Sequence, residues 1–114
     1  MEIIGKGMAG KTVIQTPYAL EFAGTMDEAS VLRYNAILDV LEERGRLEAP
    51  LGEKIEAEEN LFAIRVMTGG NYRFFYCYDT GTIIYVLNGY QKKSRLIPKR
   101  ELKRAKQIRK ELGL

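Results

Sequence analysis

The sequence contains no histidine and a single cysteine, and both shortages limit the chemistry that the chain can perform. Cys77 lies in an apolar, aromatic run, and no imidazole is present to convert its thiol into a nucleophilic thiolate. A lone cysteine cannot form an internal disulfide, which suits a reducing compartment. We therefore predict that Cys77 packs in a core and that the protein is cytoplasmic.

Long apolar runs are also missing. No stretch approaches the roughly 20 apolar residues of a membrane-spanning helix, and no basic segment with a long apolar run opens the chain. The 114 residues, 46% hydrophobic and 29% charged, have the composition of one soluble globular domain. We expect a single domain over residues 1–114, with no membrane partner and with residues 1–10 as a flexible extension.

Acidic residues are scarce in the second half of the chain. Residues 1–60 hold 6 Lys/Arg and 12 Asp/Glu, a balance of −6, whereas residues 61–114 hold 12 Lys/Arg and 3 Asp/Glu, a balance of +9. This asymmetry favours a surface that faces a polyanion, although a solvated basic helix explains part of the same count.

Residues 5–12 match the phosphate-loop pattern G-x-x-x-x-G-K-[ST] letter for letter. A true phosphate loop opens a helix, but the residues that follow Lys11 are β-rich and Pro17 comes soon after. We therefore predict no nucleotide cofactor here, and expect a Gly-rich N-terminus that leads into a strand over residues 11–16.

Helical periodicity marks three segments. Thr25 and Glu28 have the spacing of a capping box, and apolar residues then recur at helical spacing, which predicts a helix over residues 27–44. Residues 17–22 are a candidate for a short helical turn before it. Pro98 suits the first turn of an amphipathic C-terminal helix whose apolar stripe is Leu102, Ala105, Ile108 and Leu112.

Strand signals lie between these helices. Residues 46–60 have no clear period and are predicted to be a connecting loop, after which residues 62–67, 72–78 and 83–88 read as strands separated by turn residues. The expected architecture is an α+β fold: an antiparallel sheet of three to four strands with an N-terminal helix or helical hairpin and a C-terminal helix packed on one face.

The stretch over residues 61–109 resembles the phage-derived branch of the RelE/ParE/HigB toxin superfamily. That branch has an arginine-bearing strand, a Gly-Gly turn and a Tyr-Arg-x-Phe-Tyr strand. An Asp-Gly turn, an apolar strand, a Gly-aromatic-x-Lys-Lys element and a Pro-Lys-Arg-Glu helix follow. The matching residues are Arg65, Gly69-Gly70, Tyr72-Arg73, Phe75-Tyr76, Gly81, Gly89-Tyr90, Lys92-Lys93 and Pro98-Lys99-Arg100-Glu101. The chain departs from the family at Ile97, where a capping Thr or Ser is commoner.

The resemblance implies a RelE-like fold and a metal-independent endoribonuclease without cofactors. Such a toxin cleaves mRNA, often on the ribosome, by attack of a ribose 2′-hydroxyl on the adjacent phosphate. The family's expected partner is a cognate antitoxin, typically a helix-turn-helix protein. The reaction needs cations beside the phosphate oxygens and a group that manages protons.

Arg65 and Arg73 lie on neighbouring predicted strands and flank one Gly-Gly turn, so we expect them to converge on one phosphate. The alternative is that either arginine is solvated or pairs with the acidic segment before Arg65. Lys92 and Lys93 would add charge or a proton donor, or form a solvated pair. For proton transfer the candidates are Tyr90, with its pKa lowered by cationic neighbours, or a lysine whose pKa is shifted by burial and like charges.

Other side chains have more than one interpretation. Tyr72 and Tyr76 could stack on bases, but we favour packing in the core, as alternating aromatic residues of a strand commonly do. The basic C-terminal helix either contacts RNA phosphates, docks an antitoxin or is simply solvated, and its candidate RNA contacts are Lys99, Arg100 and Arg104.

Two other functions fit the same residues. A toxin of this superfamily can poison gyrase without nuclease activity, and an inactive relic would still bind an antitoxin. The absence of histidine is compatible with both.

Overall fold

The computed structural model describes residues 10–79 and 81–114, which form one five-stranded sheet with helices on both faces. The strands are β1 (Thr12–Gln15), β2 (Gly52–Lys54), β3 (Phe62–Met67), β4 (Asn71–Tyr78) and β5 (Ile83–Gln91). The helices are α1 (Pro17–Ala23), α2 (Glu28–Arg44) and α3 (Lys99–Glu111). No helix in these described ranges is long and apolar enough to cross a membrane.

The strand order is β1-β5-β4-β3-β2, and only the β1–β5 pair is parallel. The predicted α+β class is confirmed, but the sheet has five strands rather than three or four and is not wholly antiparallel. Strand β2 lies inside residues 46–60, which were predicted to be a loop. Its three residues are too few to show an alternating pattern, and pairing with β3 holds them extended.

The predicted strand over residues 11–16 is confirmed as β1. Of the phosphate-loop match, only Gly10, Lys11 and Thr12 lie within the described residues, as does only residue 10 of the predicted flexible extension. Thr12 begins a strand that pairs with β5, whereas the phosphate-loop pattern requires a helix there.

Both N-terminal helices begin at side-chain caps. Thr16 accepts a hydrogen bond from the Ala19 amide at the start of α1, the short helix predicted over residues 17–22. Helix α2 is capped by Asp27, which accepts from the Ser30 amide at 2.8 Å. The predicted capping box is therefore wrong, because the Thr25 hydroxyl instead donates to the Phe22 carbonyl at the end of α1.

Helices α1 and α2 cover one face of the sheet. The stacked rings of Tyr34 and Phe74, 4.0 Å apart, lie in this core, and Tyr76 is buried there with 1% of its surface exposed. The core interpretation of Tyr76 is thus confirmed, while Tyr72 is half-buried at the margin of the same cluster. The aromatic residues at alternate positions of β4 therefore form the side of the strand that packs against α1 and α2.

Helix α3 packs on the opposite face. Ala105 and Ile108 are buried against Phe75, Cys77 and other side chains from β3 to β5. The prediction that the helices share one face is therefore wrong: alternation along the central strands makes both faces apolar, and each face has its own helical cover. The predicted core position of Cys77 is confirmed, and burial raises the pKa of its thiol to about 11.

A β-bulge interrupts the β4–β5 pairing. Phe74 is opposite Gly89 and Tyr76 is opposite Val86, so β5 contains one more residue than β4 over this interval. A Cβ atom at Gly89 would lie 2.6 Å from the Phe22 ring and 2.7 Å from the Phe74 ring. Glycine therefore permits α1 to approach the sheet closely beside the bulge.

Candidate active site

Three of the predicted site residues form a row across the sheet. Arg65 is opposite Arg73 in the β3–β4 register, and Arg73 is opposite Tyr90 in the β4–β5 register. All three belong to the face that α3 covers. Arg65 and Arg73 are each two residues from a member of that core, Ala63 and Phe75, and Tyr90 is itself a member. The expectation that the two arginines are brought together is thus met by a direct cross-strand pairing.

Arg73 is held in place by several acceptors. Its side chain is 4% exposed, its Nε donates to Glu53 Oε1 at 3.2 Å, and its guanidinium also donates to the Asn71 side chain and the Tyr72 carbonyl. The alternative that an arginine pairs with the acidic segment is therefore realised at Arg73. Glu53 remains 42% exposed, so the pair lies at the border between core and solvent.

Arg65 has a different environment. Its Nε atom is buried without a hydrogen-bond partner among residues 10–79 and 81–114, and its terminal nitrogen approaches the Met67 sulfur at 3.7 Å. A buried donor without an acceptor is costly in a folded protein. The Arg65 guanidinium consequently retains donor capacity for an anionic group that reaches this face.

Tyr90 is stacked on Phe75, with ring centroids 5.6 Å apart, and is 5% exposed. Burial raises the pKa of Tyr90 to about 12; Arg73 opposes the rise, and Glu53 and Glu101 add to it. The net shift is opposite to the predicted lowering, because desolvation of the phenolate outweighs the single arginine. Tyr90 therefore keeps its proton at neutral pH and is suited to donate a hydrogen bond or a proton.

Beside Tyr90, a cleft of about 690 Å³ opens between α1, the end of β5 and the start of α3. Four predicted site residues line it: Tyr90, Lys93, Arg100 and Arg104. The Arg104 guanidinium lies over the Tyr18 ring at 5.1 Å, a distance typical of a cation–π contact. The structure thus places Tyr90 where the row of arginines meets a basic cleft.

The remaining predicted residues lie outside this cleft. The Lys92 amide donates to the Asn71 carbonyl at 2.7 Å, and its ammonium donates to the Arg95 carbonyl at 3.1 Å. Lys99 lines a separate depression on α3 together with Leu102, Lys103 and Lys106. No group of three or more Asp, Glu or Cys in the described part of the chain has the arrangement of a metal site.

Two residues of the site were missed from the sequence. Glu53 lies in the segment predicted to be a loop, so its position beside Arg73 had no signal other than the local excess of acid. Asn88 lines the cleft and is buried at the β5 bulge. A glycine inside an apolar strand often marks a bulge, so Gly89 was the available signal for the position of Asn88.

The model of the phage-derived Gp49-like family (DUF891) matches residues 21–110. The chain belongs to this family. No curated protein matches the sequence of this Gp49-like chain. Its predicted resemblance to the phage-derived branch of the RelE/ParE/HigB superfamily is therefore confirmed at the level of the family.

Solved toxin structures share the fold of the Gp49-like chain. A free-state E. coli toxin RelE with two arginine-to-alanine mutations matches with a TM-score of 0.63 and 16% identity, over 92% of this chain and 99% of that one. The toxin–antitoxin complex RelBE2 from Mycobacterium tuberculosis matches with a TM-score of 0.53 and 20% identity, over 76% and 97%. The Gp49-like chain thus has a RelE-like fold, as predicted.

Proposed function

We propose that this protein is the toxin of a type II toxin–antitoxin system and a metal-independent endoribonuclease that cleaves mRNA on the ribosome. The row formed by Arg65, Arg73 and Tyr90 is the observation that carries the proposal. It places two arginine guanidinium groups and the protonated Tyr90 hydroxyl on one face of the sheet, beside a basic cleft. This combination matches what phosphodiester transfer requires.

In the proposed reaction, a ribose 2′-hydroxyl oxygen attacks the adjacent phosphorus, and the bond from phosphorus to the 5′-oxygen breaks. The products are a 2′,3′-cyclic phosphate and a free 5′-hydroxyl. Arg65 and Arg73 stabilise the charge that develops on the phosphate oxygens. Tyr90 donates a proton to the departing 5′-oxygen, in keeping with its raised pKa, and the 2′-hydroxyl proton passes to solvent.

The surrounding cations would hold the RNA backbone. Lys93, Arg100 and Arg104 line the cleft next to Tyr90, while Lys92 and Lys99 lie beside it on the loop and on α3. Neutralising several phosphates makes binding strongly dependent on salt, so we expect the affinity for RNA to fall steeply as salt rises.

The proposed partners are mRNA, the ribosome and a cognate antitoxin of the helix-turn-helix type, all in the cytoplasm. The similar structure from M. tuberculosis is a complex of toxin and antitoxin, which supports an antitoxin as partner here. A bound antitoxin would silence the toxin by covering the arginine row or the basic cleft.

Inducible expression of the chain alone in a bacterial host, followed by mapping of mRNA 5′ ends, tests this function. We expect growth arrest with new cleavage ends in translated mRNAs, and loss of both in Arg65→Ala. Arg33→Ala is the matched control, because Arg33 is an exposed arginine on α2, away from the row. Arrest without new mRNA ends would contradict the nuclease.

A gyrase poison of the same fold is the second candidate. The ion pair between Arg73 and Glu53 favours it, since that pair gives Arg73 a structural role independent of RNA. Arrest with intact mRNA and inhibited DNA supercoiling would support this candidate. The absence of any arrest would instead indicate an inactive relic that binds an antitoxin.

A further inference from the structure

The bulge in β5 gives Asn88 an unusual position. Two residues of β5, Leu87 and Asn88, fit into the space opposite Phe75, so strict alternation is lost at this point. Leu87 and Tyr90 both pack into the α3-facing core, whereas Asn88 lines the cleft between α1 and α3. Bulges commonly redirect a side chain in this way beside functional sites.

The Asn88 amide is only half satisfied. The residue is 2% exposed, and its Nδ2 donates to the Glu101 carbonyl at 3.4 Å. Its Oδ1 is buried and finds no hydrogen-bond donor among the described residues 10–79 and 81–114. Buried acceptors without donors are rare, and one that lines a cleft indicates a ligand that supplies the missing N–H.

The rest of the cleft is suited to a nucleotide. Lys93 and Arg100 supply exposed positive charge. Pro98, which lines the cleft, begins α3 without a side-chain cap, so the positive end of the helix dipole lies at the cleft. Phe22 and Tyr18 add aromatic surface. The volume of about 690 Å³ lies within the range of small-molecule sites.

We propose that this cleft binds one nucleotide of the RNA substrate, with the exocyclic amine of an adenine or cytosine donating to Asn88 Oδ1 and the phosphate at Arg100 and Lys93. The proposal rests on the proposed function, because that function makes RNA the ligand. It adds to that function a site that selects the base next to the arginine row.

The acceptors around Asn88 explain the choice of base. The Glu101 carbonyl accepts from Asn88 Nδ2, and Glu21 and Glu101 line the same cleft, so the cleft already holds several acceptors. Uracil carries a carbonyl where cytosine carries the amine, and hypoxanthine differs from adenine in the same way. A carbonyl at that position would face acceptors and leave Asn88 Oδ1 without a donor, which is penalised in a buried site.

Titration of the ¹⁵N-labelled full chain with nucleoside monophosphates tests the cleft directly. CMP with UMP and AMP with IMP are matched pairs that differ at the relevant group. We expect CMP and AMP to shift the side-chain amide signal of Asn88 and the backbone amide signal of Gly89, with UMP and IMP binding about tenfold more weakly. Equal binding within each pair, or no shift at these signals, would overturn the proposal.

Asn88→Leu separates ligand recognition from a structural role. If Asn88 serves a ligand, replacing it by an apolar side chain of similar size removes an unsatisfied buried acceptor, so the melting temperature should stay level or rise while the CMP preference disappears. A fall in the melting temperature with unchanged nucleotide binding would contradict the proposal. Arg100→Ala, at an exposed site, provides a second variant and should weaken CMP and UMP alike.

Lys110→Ala is the control for charge on α3, because Lys110 is exposed and does not line this cleft. Cleavage mapping distinguishes the two proposals. mRNA cleavage whose base preference is identical in wild type and Asn88→Leu would refute base selection and leave the nuclease intact. Discrimination between CMP and UMP without any cleavage would refute the nuclease and leave the nucleotide cleft intact.

Discussion

Arg65 and Arg73 are direct neighbours across β3 and β4, yet only Arg73 is held by a carboxylate. Arg73 Nε donates to Glu53 Oε1 at 3.2 Å, while Arg65 Nε is buried without an acceptor among the described residues. The same residue type at paired positions thus has two energetic roles. Arg73 is anchored by the protein and brings a fixed positive charge to the row, whereas Arg65 Nε keeps a donor for a ligand.

Substitution by methionine should separate these roles, because methionine keeps the packing of the arginine stem. Arg73→Met leaves the part-buried acceptors on Glu53, Asn71 and Tyr72 unpaired and should lower the free energy of unfolding by about 1 to 3 kcal/mol. Arg65→Met removes an unpaired donor and should change stability by less than about 1 kcal/mol, yet reduce mRNA cleavage about 100-fold. Urea denaturation and cleavage assays measure both, and equal destabilisation would contradict the assignment.

Neutralising Glu53 should lower the pKa of Tyr90. The Glu53 carboxylate opposes ionisation of Tyr90, so Glu53→Gln removes one cause of the raised pKa while the amide oxygen still accepts from Arg73. Ultraviolet titration of the tyrosines, with NMR assignment of Tyr90, measures the effect. Glu56→Gln in the same segment is the control, and an unchanged Tyr90 pKa in Glu53→Gln would refute the coupling.

Cys77 should make the fold sensitive to alkaline pH. Burial raises its pKa from 9.0 to about 11, so the unfolded chain loses the thiol proton first. Stability is therefore retained below pH 9 and lost as pH rises toward 11, at up to about 1.4 kcal/mol per pH unit. Urea denaturation at pH 8, 9 and 10 measures the slope. Cys77→Ala should flatten the curve between pH 9 and 10; an equal slope would assign the loss to other groups.

Gly89→Ala should lower the free energy of unfolding by about 1 to 3 kcal/mol, because the added methyl group would overlap the rings of Phe22 and Phe74. Gly24→Ala is the matched control, since Gly24 has an ordinary right-handed conformation with φ of −65° and meets only contacts of 3.4 Å or more. Thermal denaturation compares them. Combining Gly89→Ala with Phe22→Leu should recover part of the loss, and no recovery would place the overlap elsewhere.

Much of the fold could be predicted from the sequence because apolar residues recur with a clear period in its longer helices and strands. Helix α2 and strands β3 and β4 follow their predicted bounds within a residue, since apolar spacing and turn residues agree there. The capping residue of α2 was misassigned because Thr25 and Asp27 are both good caps, and only the chain path decides between them.

The remaining features depend on contacts between distant parts of the chain. Strand β2 and the Glu53–Arg73 pair form when a short acidic segment pairs with β3. A segment of three residues is too short for its sequence to predict this pairing. The convergence of Arg65 with Arg73 was predictable because they flank one turn. The burial of Tyr90 could not be predicted from the sequence, so we expected its pKa to fall, whereas burial raises it.

The parallel pairing of β1 with β5 also has a consequence for synthesis of the chain. Residues 12–15 must wait for residues 83–86 before they gain a partner strand, and β5 also contributes Tyr90 to the arginine row. A chain emerging N-terminus first thus holds an unpaired strand until about three quarters of it has been made. The row of Arg65, Arg73 and Tyr90 therefore cannot form before β5, the last strand in chain order, has been synthesised.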